Sequence, residues 1–237
     1  MHNAHLIVPP FFEVGPKVYS YGNKLLNLAL FADELSIQYG VQIIFTPQYV
    51  DIPLLSQRTK HILVFAQHMD PVRPGRGVGA ILPEAIKEAG AHGVMLNHTE
   101  KKLSPPVIEQ IMVRANEVEL ATMVCADSLA EAEVIARMRP DIIIAESPDL
   151  IEGGQREVDD QQAIKKLNET VWKISPQTKV LHGAGINSAQ DIYDVICKGA
   201  QGTGSTSAIF KAIDPMQALA DMIKGVRQAW DNTHQGD

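Results

Sequence analysis

Eight short apolar runs, separated by longer amphipathic stretches, set the strongest limit on how this 237-residue chain can fold. The runs cover residues 6–8, 41–45, 62–65, 93–96, 122–125, 141–145, 179–181 and 200–204. Between them the periodicity predicts helices over 23–38, 83–89, 106–119, 129–138, 159–174 and 189–198, with a last one over 215–230. Strands that are apolar at successive positions need cover on both faces, and alternating helices supply it on a parallel sheet. The number of such units favours a closed α/β barrel, (β/α)8, over an open doubly wound sheet. The first strand is followed by no G-x-G-x-x-G, which lowers the dinucleotide-binding alternative. Neither a Pro/Gly/Ser-rich linker nor a charge block divides the chain, so residues 1–237 read as a single domain.

Composition narrows the function classes. The formal net charge of −7 lacks the basic excess expected of a nucleic-acid surface. An acidic chain that binds an anion must meet it locally, through backbone N–H groups, a helix N-terminus or one placed lysine. The two cysteines, Cys125 and Cys197, are far apart and have no metal-type spacing, so they read as reduced thiols of a cytoplasmic protein. No apolar run is long enough to span a bilayer, and the first residues lack the basic region and apolar core of a signal peptide.

In a (β/α)8 barrel, chemistry is expected just after the strands, on the C-terminal face. Five segments there carry suitable groups: 11–17 with Lys17, 96–100 with His98 and Glu100, 144–148 with Glu146, and the glycine-rich loops 183–185 and 202–207. Taken singly, each has a structural explanation. His98 could be a satisfied strand-end histidine, Glu146 could pair with a neighbouring cation, and Lys17 could be solvated. The glycines could serve tight turns, and the Thr/Ser run could cap a helix. Taken together, they supply a base, an electrophile and a phosphate site on one face.

Several segments resemble the triosephosphate isomerase family. Leu96-Asn97-His98-Thr99-Glu100 is similar to that family's L-N-H-S-E. Residues 146–151, Glu-Ser-Pro-Asp-Leu-Ile, resemble E-P-P-E-L-I of its short archaeal branch, and Gly183-Ala184-Gly185-Ile186 resembles G-A-G-I. Segments 47–51, 66–71 and 81–85 are also similar, so the resemblance runs from about the first strand to the eighth. It implies a single TIM barrel, no cofactor and no metal, and a small phosphorylated sugar as substrate. By the same resemblance Glu146 is the base, His98 a neutral electrophile, and Lys17 the cation that offsets substrate charge. It implies that Gly15, Ile151, Gly185, Thr206 and Ser207 stand at substrate or phosphate contacts. Residues 147–154 would form a lid, and the chain would be a homodimer or homotetramer.

The chain also departs from the pattern. Gly15 replaces the asparagine of N-x-K, and 9–12 make the first loop look expanded. Glu152 replaces a lid glycine, Lys101 replaces an arginine, Val78-Gly79 replaces T-G, and the eighth loop lacks a glycine pair. The parent reaction is therefore weighed against a paralogue acting on another phosphorylated sugar, such as a tetrulose phosphate, and against a non-catalytic phosphosugar-binding barrel.

Overall fold

The computed structural model describes residues 7–146 and 158–234. Strands and helices alternate as β1 (Phe11–Val14), α1 (Gly22–Tyr39), β2 (Gln42–Phe45), α2 (Ile52–Arg58), β3 (Leu63–Ala66), α3 (Pro83–Glu88), β4 (Gly93–Leu96) and α4 (Pro105–Glu117). They continue as β5 (Ala121–Ala126), α5 (Leu129–Met138), β6 (Ile142–Ala145), α6 (Val158–Ile174), β7 (Lys179–His182), α7 (Ala189–Cys197) and β8 (Gly202–Ser205). The short α8 (Ser207–Phe210) and the long α9 (Pro215–Thr233) follow. The strands pair in parallel in sequence order, and β1 also pairs with β8, so the sheet closes into a barrel.

Period-2 alternation divides each strand between two cores. Phe11, Ile44, Phe65, Met123, Ile144 and Leu181 belong to the cluster inside the ring. Phe12, Phe45, Val64, Val124 and Ile143 belong to the larger cluster shared with the helices. This explains the continuous apolar runs: both faces of every strand are covered.

One expectation is corrected. The first run was expected at residues 6–8, followed by an expanded loop, but the first strand is Phe11–Val14. Pro9 and Pro10 have no N–H to give a ladder, whereas Phe11 pairs with both Gln42 and Gly202. Ile7 is instead buried in the inner cluster. Of residues 9–12, Phe11 and Phe12 belong to the strand, and Pro9 and Pro10 lead into it. Helix α2 also escaped the periodicity, because its seven residues, with proline in the first turn, are too short to show it.

Two glycines make room for the aromatic rings of the inner core. A Cβ on Gly202 would lie 2.4 Å from the Phe11 ring, and one on Gly93 would lie 2.5 Å from Phe65. Gly202→Ala is therefore expected to overpack the ring and cost about 1–3 kcal/mol. The check is a lower urea midpoint with an unchanged slope.

Candidate active site

A cavity of about 500 Å³ opens at the C-terminal ends of the strands. Its wall includes Glu13 and Lys17 from the β1 side, Thr46 after β2, His98 after β4 and Glu146 after β6. The loops after β7 and β8 supply Gly183–Asn187 and Gly204–Ser207.

His98 reaches this cavity through a break in the strand's alternation. Leu96 faces the helices, so the next residue should face inward. Asn97 instead has φ +60, a left-handed conformation that asparagine tolerates better than most residues. Its side-chain N–H groups donate to the Cys125 carbonyl (2.9 Å) and to Glu131 Oε1 (2.8 Å), and its Oδ1 accepts from Leu103 N–H (2.9 Å). The turn thus hands the inward position to His98. There, Nδ1 accepts the Glu100 backbone N–H at 3.1 Å. An acceptor nitrogen carries no proton, so the neutral ring bears its hydrogen on Nε2. Burial, followed by the charge of Lys17, lowers the His98 pKa and favours this neutral form.

Lys17 also sits in the left-handed region, at φ +43. The amide of Gln67 holds that turn by donating to the carbonyls of Lys17 (3.1 Å) and Thr46 (2.9 Å). Lys17 Nζ donates to Glu100 Oε1 at 2.7 Å, and this bond is the leading reason that the Glu100 pKa is lowered. Glu100 therefore orders both polar neighbours: its backbone fixes the His98 tautomer and its side chain positions the Lys17 cation.

Glu146 is half-buried with its Oε2 enclosed, and desolvation raises its pKa from 4.5 to about 7. Its Oε2 has no hydrogen-bond partner among the described residues. That oxygen lies 3.9 Å from His98 Nε2, too far for a hydrogen bond, so the carboxyl and the imidazole are adjacent without being bonded to one another. A Cβ on Gly183 would lie 3.1 Å from Glu146 Oε1, so the glycine clears a place for the carboxylate. A second buried carboxyl, Glu13, accepts the Thr46 hydroxyl at 2.6 Å. Desolvation raises its pKa to about 7, with the negative charge of Glu146 adding to the effect.

Of the residues expected from sequence, Lys17, His98, Glu146, Gly15, Gly185, Thr206 and Ser207 all line this cavity. Ile151, Glu152 and the lid segment 147–154 lie outside the described residues. Gly185 has φ +72, which suits glycine. Gly15 faces Thr206, whose Oγ1 would be 2.8 Å from a Cβ there. Sequence reasoning missed Gln67 and His68, which also line the cavity. His68 Nε2 lies 3.2 Å from Asp70 Oδ1, and Asp70 Oδ2 accepts Ile81 N–H at 2.7 Å, tying down the base of the third loop. It also passed over Glu13 as a site residue. The available signal was a charge at an inward position of an otherwise apolar strand.

The raised Glu146 pKa carries a stability cost with a defined sign. Between 4.5 and about 7 the folded state holds a proton that the unfolded chain releases. This contribution is present below pH 4.5 and lost as pH rises through 7. Glu146→Gln should therefore raise the unfolding free energy at pH 8, by an amount on the order of 1–3 kcal/mol. The gain should shrink toward zero near pH 5, as calorimetry at both pH values would show.

A family model described as triosephosphate isomerase matches residues 17–225. Three curated relatives are each named triosephosphate isomerase. The protein of Sulfurisphaera tokodaii is 35% identical over 226 residues, 94% of this chain and 98% of the relative. That of Methanobacterium bryantii is 34% identical over 87% of this chain and 92% of its own length. That of Methanosarcina mazei is 34% identical over 91% and 98%. The family match takes in Lys17, His98, Glu146 and the loops after β7 and β8, and the chain belongs to the triosephosphate isomerase family.

Proposed function

We propose that the chain interconverts glyceraldehyde 3-phosphate and dihydroxyacetone phosphate by proton transfer through an enediolate, without a metal or organic cofactor. The observation that carries this reading is the unpartnered, buried Oε2 of Glu146 beside the Nε2 of a neutral His98. Glu146 removes a proton from the carbon next to the carbonyl. The C–H electron pair forms the new C=C bond, and the carbonyl π pair moves to oxygen. His98 Nε2–H donates to that oxygen and relays a proton between the two oxygens of the enediolate. Glu146 then returns its proton to the neighbouring carbon, so nothing is gained or lost.

Burial gives the base its strength, because a desolvated carboxylate holds a proton more tightly than a solvated one. A neutral imidazole meets the oxyanion without bringing a buried cation into the cavity. Lys17 offsets the charge of substrate and enediolate. Gly15 is assigned to the substrate wall, and Gly185, Thr206 and Ser207 to the phosphate, where backbone N–H groups and hydroxyls are the available donors. Ile151 is assigned to the closing lid. The triose is preferred to a longer sugar because the supposed expansion of the first loop leads into strand β1 and forms its start.

The chain is further proposed to be one domain over 1–237, cytoplasmic, and a homodimer or homotetramer. Among the described residues, no helix is long and apolar enough to cross a membrane. Supporting self-association, Val78 stands fully exposed in the third loop. A monomeric mass by light scattering at micromolar concentration would remove that proposal.

Activity is tested by solvent deuterium uptake into either triose phosphate. His98→Gln and Glu146→Asp should each lower kcat by about 10²–10⁴-fold with smaller changes in KM. In the unmodified protein, kcat/KM should fall about tenfold per pH unit below about 7, as the base takes up its proton. Wild-type exchange rates in both variants would sink the assignment.

A further inference from the structure

Position 13 of β1 points into the barrel, in step with Phe11, and ends at the cavity wall. An inward residue at such a site is ordinarily apolar or small, because a buried acid with few partners is costly. Glu13 has one hydrogen-bond partner among the described residues, the Thr46 hydroxyl on Oε1. Oε2 has none. Two glycines clear the space around this carboxyl. A Cβ on Gly15 would lie 3.0 and 3.3 Å from its two oxygens, and one on Gly204 would lie 3.0 Å from Oε2. The carboxyl thus occupies room that side chains on two neighbouring segments would otherwise take.

We propose that Glu13 is a substrate-contacting residue, whose Oε2 edge hydrogen-bonds an oxygen of the phosphorylated sugar on the β1 side of the cavity. This rests on the isomerase reading for the identity of the substrate. The neutral acid can donate to a phosphate or carbonyl oxygen, whereas a carboxylate could only accept from a sugar hydroxyl and would repel the phosphate. Burial favours the neutral form and Glu146, just after β6, reinforces it, while the hydrogen bond from Thr46 and the charge of Lys17 oppose it. A purely structural role fails to explain the arrangement. Thr46 could be satisfied by the Val14 carbonyl 3.5 Å away, and a leucine at 13 would fill the same volume without desolvating an acid.

Three variants test the proposal: Glu13→Leu removes the donor, Glu13→Asp withdraws it by one methylene, and Glu13→Gln keeps an N–H donor in place. Two readouts are used, KM for triose-phosphate isomerisation and the calorimetric affinity for sn-glycerol 3-phosphate, a probe that cannot isomerise. Leu and Asp should each raise KM and weaken probe binding at least tenfold. Gln should recover most of that loss, a rescue that cavity filling alone would not give. Wild-type KM and affinity in the Asp variant, or a Gln variant as weak as Asp, overturns the proposal even if the Leu variant does not fold. If the unmodified protein isomerises neither triose, the isomerase reading fails, while probe binding still decides the role of Glu13.

Discussion

Closing eight strands, most of them four residues long, into one ring constrains everything else in the structure. A strand that short offers only about two side chains to the interior. The barrel is filled below by Phe11, Phe65, Met123 and Ile144, and little room remains for further apolar layers. The next inward positions therefore meet the cavity, and those positions hold the ionisable groups. Glu13 lies two residues after Phe11, and Glu146 lies two after Ile144. The same geometry that buries the core thus delivers two carboxyls to its upper boundary.

That boundary is where desolvation and charge are balanced. Both carboxyls are raised to about 7 by burial, and each would be stabler as an apolar residue. Opposing this, Lys17 brings a positive charge whose position is fixed by Glu100. Glu100 also uses its backbone N–H to set the hydrogen of His98. A single residue therefore couples the cation to the neutral imidazole. Left-handed turns at Lys17 and Asn97 present both side chains, and such strain is held only because Gln67 and Glu131 bind the neighbouring polar groups.

The departures from the family pattern now fall into distinct groups. The apparent first-loop insertion disappears once Phe11–Val14 is recognised as strand. The missing side chain at Gly15 is matched by a carboxyl from Glu13 that closes in on the same space. These two changes belong together, since a side chain at 15 would put its Cβ 2.8 Å from Thr206 Oγ1 and 3.0 Å from Glu13 Oε1, so those groups would have to shift.

By itself, the sequence determined the alternation of strands and helices, the barrel and the presence at strand ends of His98, Glu146 and Lys17, which line one cavity. Those features depend on local periodicity and on motifs that survive as contiguous text. The first strand was displaced in that reading because a run of apolar residues fits a strand in more than one register. Only pairing with β2 and β8 selects one. The tertiary structure alone decided the tautomer of His98, the raised pKa of Glu146 and the place of Glu13 beside Gly15 and Gly204. Each depends on groups distant in sequence: burial is set by the whole barrel, and the space around Glu13 by strands that meet only when the ring closes.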